Sequence, residues 1–196
     1  LKKIRKISKE KSIILIFDEC TSGFRQTFGG LHKHYNVTPD MCIFGKALGN
    51  GYAINAILGK KSIMEFSNKT FMSSTFWTER IGPTAALKTL EIMEQERSWE
   101  YVTQLGEYIQ SSWSDLARRY SLPIKINGIP ALSNFYLESG NWLKYKTFIS
   151  QEMLKKGILA SDKIYVCSRH NKKNIDRYLN ELDVIFSKIK NIEETS

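Results

Sequence analysis

No stretch of this sequence approaches the roughly 18 consecutive apolar residues of a bilayer-spanning helix. Its best apolar run, Ile13 to Phe17, is far too short, so no membrane is expected among its partners. Cysteine is scarce. Cys20, Cys42 and Cys167 are odd in number and show no Cys-x-x-Cys spacing, which excludes a disulfide-dense scaffold and makes a reducing cytoplasm the expected location. With 4 Pro and 12 Gly, a collagen-like chain is excluded as well. The opening Leu-Lys-Lys-Ile-Arg-Lys lacks the apolar centre and small-residue cleavage site of a secretory signal. A start at Leu1 rather than Met reads as a cut end.

What is present argues for a folded chain. Hydrophobic residues make up 42% of 196 positions, too many for disorder at a net charge of +9. That length suits one large domain or two small ones. The basicity is local: residues 2 to 11 hold six cations (Lys2, Lys3, Arg5, Lys6, Lys9, Lys11) against Glu10. Such a block can touch an acidic surface or nucleic acid by counterion release. No aromatic is interleaved for base stacking, so a solvated face is the expectation and nucleic acid is not a predicted partner.

The segment from Ser12 to Phe17 is continuously apolar after its serine and ends abruptly in Asp18-Glu19, the pattern of a strand covered on both faces. Thr38-Pro39-Asp40 signals a turn before Met41 to Phe44, a second short strand that stops at Gly45-Lys46. Ala53 to Leu58 is a third strand candidate and Lys60 to Phe66 a short helix. From Gly82-Pro83 onward helical spacing takes over, and Ser98 is a candidate N-cap for a second helix. Two strands, Ile124 to Asn127 and Ala131 to Leu137, precede a helix near Tyr145 to Lys156 that ends at Gly157. Ile175, Tyr178, Leu179, Leu182, Ile185, Phe186 and Ile189 lay one apolar stripe along a final helix. The fold class is α/β, with a parallel-sheet domain over 1–97 and a smaller α+β domain over 98–196.

In open α/β sheets ligands bind beyond the carboxyl ends of the strands. Asp18 and Lys46 both stand there, with strand spacing implying tips ~5–10 Å apart. A lysine desolvated at a strand end has a lowered pKa and offers a neutral amine to a carbonyl. An aspartate beside it can hold a protonated ring nitrogen. Pyridoxal 5′-phosphate makes both demands, although the same spacing suits a structural Lys–Asp ion pair or two exposed loop ends. Other motifs fail. Gly59-Lys60-Lys61-Ser62 lacks the glycine that a phosphate loop needs five residues earlier, where Ile54 stands. Gly49-Asn50-Gly51 lacks the third glycine of a dinucleotide fingerprint. His32-Lys33-His34 has no adjoining ligand cluster, so no metal site is expected, and His170 is read as serving near the start of the last helix.

Ile16-Phe17-Asp18-Glu19, Ser22-Gly23-Phe24-Arg25, Val37-Thr38-Pro39-Asp40 and Phe44-Gly45-Lys46-Ala47-Leu48-Gly49-Asn50-Gly51 resemble the consecutive motifs of class III aminotransferases, in their glutamate-1-semialdehyde aminomutase-like branch. The resemblance runs on through Ser74 to Pro83 and to Ser168-Arg169-His170 with Ile175-Asp176. It implies a fold-type-I pyridoxal-phosphate enzyme, a homodimer with its active site at the interface, moving an amino group on a small amino, keto or aldehyde substrate. Lys46 would be the Schiff-base lysine and general base, and Asp18 the partner of the pyridine nitrogen. A threonine before Gly82-Pro83 would bind the phosphate across the interface; counting back from Pro83 favours Thr78, and Thr75 fits a shifted alignment. Glu19 and Arg25 lie in the motif without an assigned role. Intact members of the family carry an N-terminal half with a phosphate-gripping loop and a ring-stacking aromatic, neither of which precedes Ser12, so the chain reads as the C-terminal portion. Loops such as Phe24 to Asn36 would help to select the substrate. Decarboxylation or racemisation on the same cofactor, and a non-catalytic binding module built on Lys2 to Lys11, are the alternative readings.

Overall fold

The computed structural model describes residues 1–195, which group into two compact units, 1–100 and 101 onward. Unit 1 opens with helix α1 (Lys2–Glu10), followed by β1 (Ile16–Asp18), β2 (Met41–Phe44) and β3 (Ala56–Gly59). β1 and β2 are parallel, in register Ile16 with Met41 and Asp18 with Ile43. β3 runs antiparallel to β2, so the expected parallel sheet is mixed at this edge. A short helix α2 (Lys61–Met64) and the longer α3 (Ile81–Glu96) complete the unit. Its core is small: Cys42, Phe44, Leu48 and Ala86, with Phe17, Phe24, Ile54 and Leu90 against them.

Two expectations are corrected here. The run from Ser12 to Phe17 is extended strand only from Ile16, and Ile13, Ile14 and Ile16 are exposed rather than covered on both faces. Within the described residues β1 pairs on one side only, with β2, and which elements cover an apolar strand is not encoded in the strand's own composition. The cationic block is also not wholly a solvated face. Arg5, on α1, folds inward and donates to Asp40 Oδ2 at 2.9 Å. Asp40 is buried, accepts the Leu15 N–H at 2.9 Å through Oδ2 and meets Lys60 Nζ at 2.6 Å through Oδ1. One carboxylate thus ties α1, the approach to β1, and the residue before α2 together.

Unit 2 holds most of α4 (Ser98–Arg119), then β4 (Ile124–Asn127), β5 (Leu132–Leu137), α5 (Trp142–Lys155), β6 (Lys163–Tyr165) and α6 (Lys172–Thr195). The three strands form an antiparallel sheet in the order β4-β5-β6. Every member of the apolar stripe read from the sequence of α6 is buried, from Ile175 to Ile189. Those residues meet Trp113 of α4, Phe135 of β5, and Ile149 and Met153 of α5 in one continuous core. The Trp113 indole N–H donates to the Tyr178 hydroxyl at 3.0 Å, so the buried polar atoms satisfy each other. Gly157, at φ +68°, ends α5 as its position after the last helical turn suggests.

Candidate active site

The site grows from the carboxyl ends of two neighbouring parallel strands. Asp18 is the last residue of β1, and Lys46 follows the last residue of β2 by two positions. Beyond its strand tip the chain folds back on itself: the Cys20 N–H donates to Asp18 Oδ1 at 3.0 Å. The next residue, Thr21, accepts a hydrogen bond from Lys46 Nζ at its Oγ1. Two consecutive residues of one loop therefore engage the carboxylate and the amine. Cys20 lies between them, its Sγ facing Gly45 and its thiol pushed up in pKa by burial and by the Asp18 charge, an effect that Lys46 opposes.

Lys46 sits at φ +45°, a left-handed backbone that a branched-chain-free residue without glycine's freedom adopts only at a cost of order 1 kcal/mol or more. The strand leaves Gly45 and enters a single 3-10 turn, Lys46–Leu48. Asp18 and Lys46 are both exposed. The desolvation expected of a lysine at a buried strand end is thus corrected: the turn carries Lys46 out of the sheet and toward the loop, where solvent reaches it.

Glu19 shows the opposite environment. Its side chain is 4% exposed, and its carboxylate collects four donors from the following loop. Oε2 accepts from Ser22 Oγ at 2.6 Å and from the Leu31 N–H at 2.8 Å. Oε1 accepts from the His32 N–H at 2.9 Å and lies 3.0 Å from His32 Nδ1. Burial alone would raise its pKa, but the bonds from Ser22, His32 and Leu31 bring it below the ordinary value. On the same face, the Cys42 thiol, 3.6 Å from His32 Nδ1, is pushed up to about 11 by burial and by the Glu19 charge, and stays protonated.

The other sequence-selected residues are not gathered here. Thr75 and Thr78 are exposed, in the segment between Thr70 and α3, and no hydrogen bond joins either to Asp18 or Lys46 among the described residues. His32 Nδ1 lies 3.0 Å from Glu19 Oε1, and no group of three metal-ligating side chains occurs among the described residues. His170 Nδ1 accepts the Cys167 N–H at 3.2 Å just before α6, the position read for it from the sequence. A cavity of about 620 Å³, lined by apolar residues such as Phe24, Cys42, Phe44, Leu48 and Leu58, touches neither Asp18 nor Lys46. A smaller one of about 200 Å³ includes Asp18, Glu19, Ser22 and His32. Sequence reasoning missed Cys20 and Thr21 and left Glu19 without a role; the available signal was that all three follow Asp18 directly.

The profile of the class III aminotransferases matches residues 1–168. The chain belongs to the class III aminotransferase family. It is 33% identical over 181 residues to a 3-aminobutyryl-CoA aminotransferase of Cloacimonas acidaminovorans, covering 89% of this chain and 44% of that protein. It is 28% identical over 203 residues to a glutamate-1-semialdehyde 2,1-aminomutase of Methanosphaera stadtmanae, covering 95% of this chain and 48% of the relative. The chain spans about half the length of the curated relatives it matches. Among solved structures, the FumI protein of Sphingopyxis sp. MTA144, in its PLP internal aldimine form, superposes with a TM-score of 0.86 at 22% identity over 94% of this chain and 45% of that one. An omega-transaminase from Sphaerobacter thermophilus gives 0.85 at 18% identity, over 95% and 47%. At those identities the likeness establishes the fold, that of the fold-type-I transaminases. No helix among the described residues is long and apolar enough to cross a membrane.

Proposed function

We propose that this chain carries the lysine-bearing part of a pyridoxal 5′-phosphate site and that the protein moves an amino group on a small amino, keto or aldehyde substrate, as a transaminase or an aminomutase. The single observation behind the reading is the placement of Lys46 and Asp18 at the ends of β2 and β1, bracketed by Cys20 and Thr21 of one loop. The donor set fits the cofactor: an amine for its aldehyde, a carboxylate for its pyridine nitrogen and a hydroxyl beside the amine. When bound, the cofactor supplies that aldehyde and an electron-withdrawing ring.

This chain's own residues do the rest. Lys46 would hold the cofactor through its amine, and that amine would be the base that takes a proton from the substrate carbon bearing nitrogen and returns it where product forms. Asp18 would hold a proton on the ring nitrogen by offering it a carboxylate, one oxygen of which, Oδ1, already accepts the Cys20 N–H. Thr21 orients the Lys46 amine toward the strand tips. Thr78, or Thr75, is the phosphate ligand, contributed across a homodimer interface in the cytoplasm. Supporting the dimer is the exposed apolar run that surrounds both threonines: Phe71, Met72, Phe76, Trp77 and Ile81.

The test is amino transfer by the intact protein supplied with cofactor, an amino donor and a keto or aldehyde acceptor. Lys46→Ala is expected to lower turnover by about 10³-fold, the scale of losing a positioned acid-base group. A Lys46→Ala protein as active as the parent contradicts the proposal.

A further inference from the structure

We infer that Glu19 is a positioning residue of this site: one buried carboxylate fastens the loop of residues 22–32 to the tip of β1 and so sets where Asp18 and Lys46 stand relative to each other. The inference rests on the reading of those two side chains as the reactive pair.

The geometry makes Glu19 the hub of its surroundings. Asp18 and Glu19 are consecutive at a strand end, so their side chains leave on opposite sides, Asp18 into solvent and Glu19 into the protein. The Glu19 main chain is held as firmly as its carboxylate: its N–H donates to Ile43 O at 2.8 Å, across to β2, and its carbonyl accepts the Gly23 N–H at 2.8 Å. With Ser22, Leu31 and His32 all donating to its two carboxylate oxygens, both ends of the loop close on this one residue. The two residues between Glu19 and Ser22, in the turn that the Ser22 bond closes, are those that grip the reactive groups, Cys20 on Asp18 and Thr21 on Lys46. A shift of the loop therefore moves both grips together. Gly30 shows how tightly the pin is built. A Cβ there would collide with the His32 imidazole and stand 3.0 Å from Glu19 Oε1.

The Thr27 hydroxyl and the Phe24 N–H brace the loop internally, on Gly30 O at 2.8 Å and Gly29 O at 2.7 Å, whereas the Glu19 carboxylate ties it to the tip of β1; Asp18 itself is exposed, so its carboxylate depends on the backbone beneath it. Misplacing reacting groups by about 1 Å lowers turnover by about 100-fold while leaving substrate contacts outside the loop intact. A residue that acts only on folding would instead lower the amount of active protein and not the rate per active molecule.

The experiment compares intact wild-type protein, Glu19→Gln and Ser22→Ala, each titrated with pyridoxal 5′-phosphate and assayed for kcat and KM per molecule of bound cofactor. Wild-type protein that forms no borohydride-reducible adduct at Lys46 overturns the underlying reading, whatever the variants do. Given the wild-type adduct, Glu19→Gln is expected to retain it with an altered absorbance maximum, and to lower kcat by about tenfold or more with KM within about threefold. Ser22→Ala removes one donor and keeps the charge, so it is expected to change kcat in the same direction by a smaller factor, and it serves alone if Glu19→Gln does not fold. Unchanged kcat and absorbance per bound cofactor in the folded variants, with only thermal stability reduced, overturns the positioning role.

Discussion

At the scale of the residue, the strained backbone of Lys46 and its bond to Thr21 belong to one arrangement. A left-handed non-glycine residue persists only where its surroundings over-determine it, and here the Thr21 hydroxyl receives the amine that the strained turn delivers. Thr21→Val, which keeps the shape and removes the acceptor, is expected to slow covalent capture of the cofactor by about tenfold, the size of one charge-assisted hydrogen bond. Stopped-flow absorbance checks it. Asp40 gives a prediction in pH. Lys60, the Leu15 N–H and Arg5 hold its carboxyl well below the ordinary value of 3.8. A depressed folded-state pKa means that the contribution to stability is fully present above the unfolded value and is lost as pH falls through the folded one. Asp40→Asn is therefore expected to destabilise unit 1 by about 3 kcal/mol near neutral pH, and the gap to wild type is expected to close in strong acid; denaturant titrations at several pH values measure both. What could be read from the sequence at this scale was that Asp18 and Lys46 stand at the carboxyl ends of two strands, because a charged residue closing an apolar run is conspicuous. The inward turn of Arg5 was not legible, because its partner lies 35 residues away and nothing local separates it from the five lysines beside it.

At the scale of the element, legibility followed amphipathicity. The stripe along α6 and the alternation in β5 each name a single buried face, so their sequence periods predict their packing. The run from Ser12 to Phe17 has no period. It states that the segment prefers apolar company, but not which elements supply it, and among the described residues Ile13, Ile14 and Ile16 are exposed. The long apolar faces of α4 and α6 make unit 2 sensitive to cavities. Phe186→Ala, at a position with no solvent exposure, is expected to cost about 3–5 kcal/mol and to broaden or abolish the thermal transition of unit 2. Calorimetry of the intact protein reads this directly, and a loss below about 1 kcal/mol would mean that the core relaxes around the gap far more than dense packing allows.

At the scale of the whole molecule, unit 1 leaves a great deal of apolar surface uncovered by its own residues. Phe71 is 92% exposed and Trp77 61%, in the segment that also carries Thr75 and Thr78. A chain whose phosphate ligand comes from a second copy needs that segment at an interface, and exposed aromatic residues are the side chains that stable interfaces bury. Sedimentation is accordingly expected to give the mass of two chains, and Phe71→Glu the mass of one, with cofactor binding weakened in parallel. A monomeric wild-type protein that binds the cofactor tightly would remove the reason for placing either threonine across an interface.

The most direct measurement is the fate of one amine. Reducing the protein with borohydride in the presence of pyridoxal 5′-phosphate, digesting it and weighing the peptides should find the added cofactor mass on the peptide containing Lys46, at one equivalent per chain, and on no other lysine beyond trace. The same treatment of Asp18→Asn should leave the modified site unchanged but weaken cofactor retention. Label spread evenly over surface lysines such as Lys61 and Lys144, with Lys46 no more modified than they are, would contradict the account.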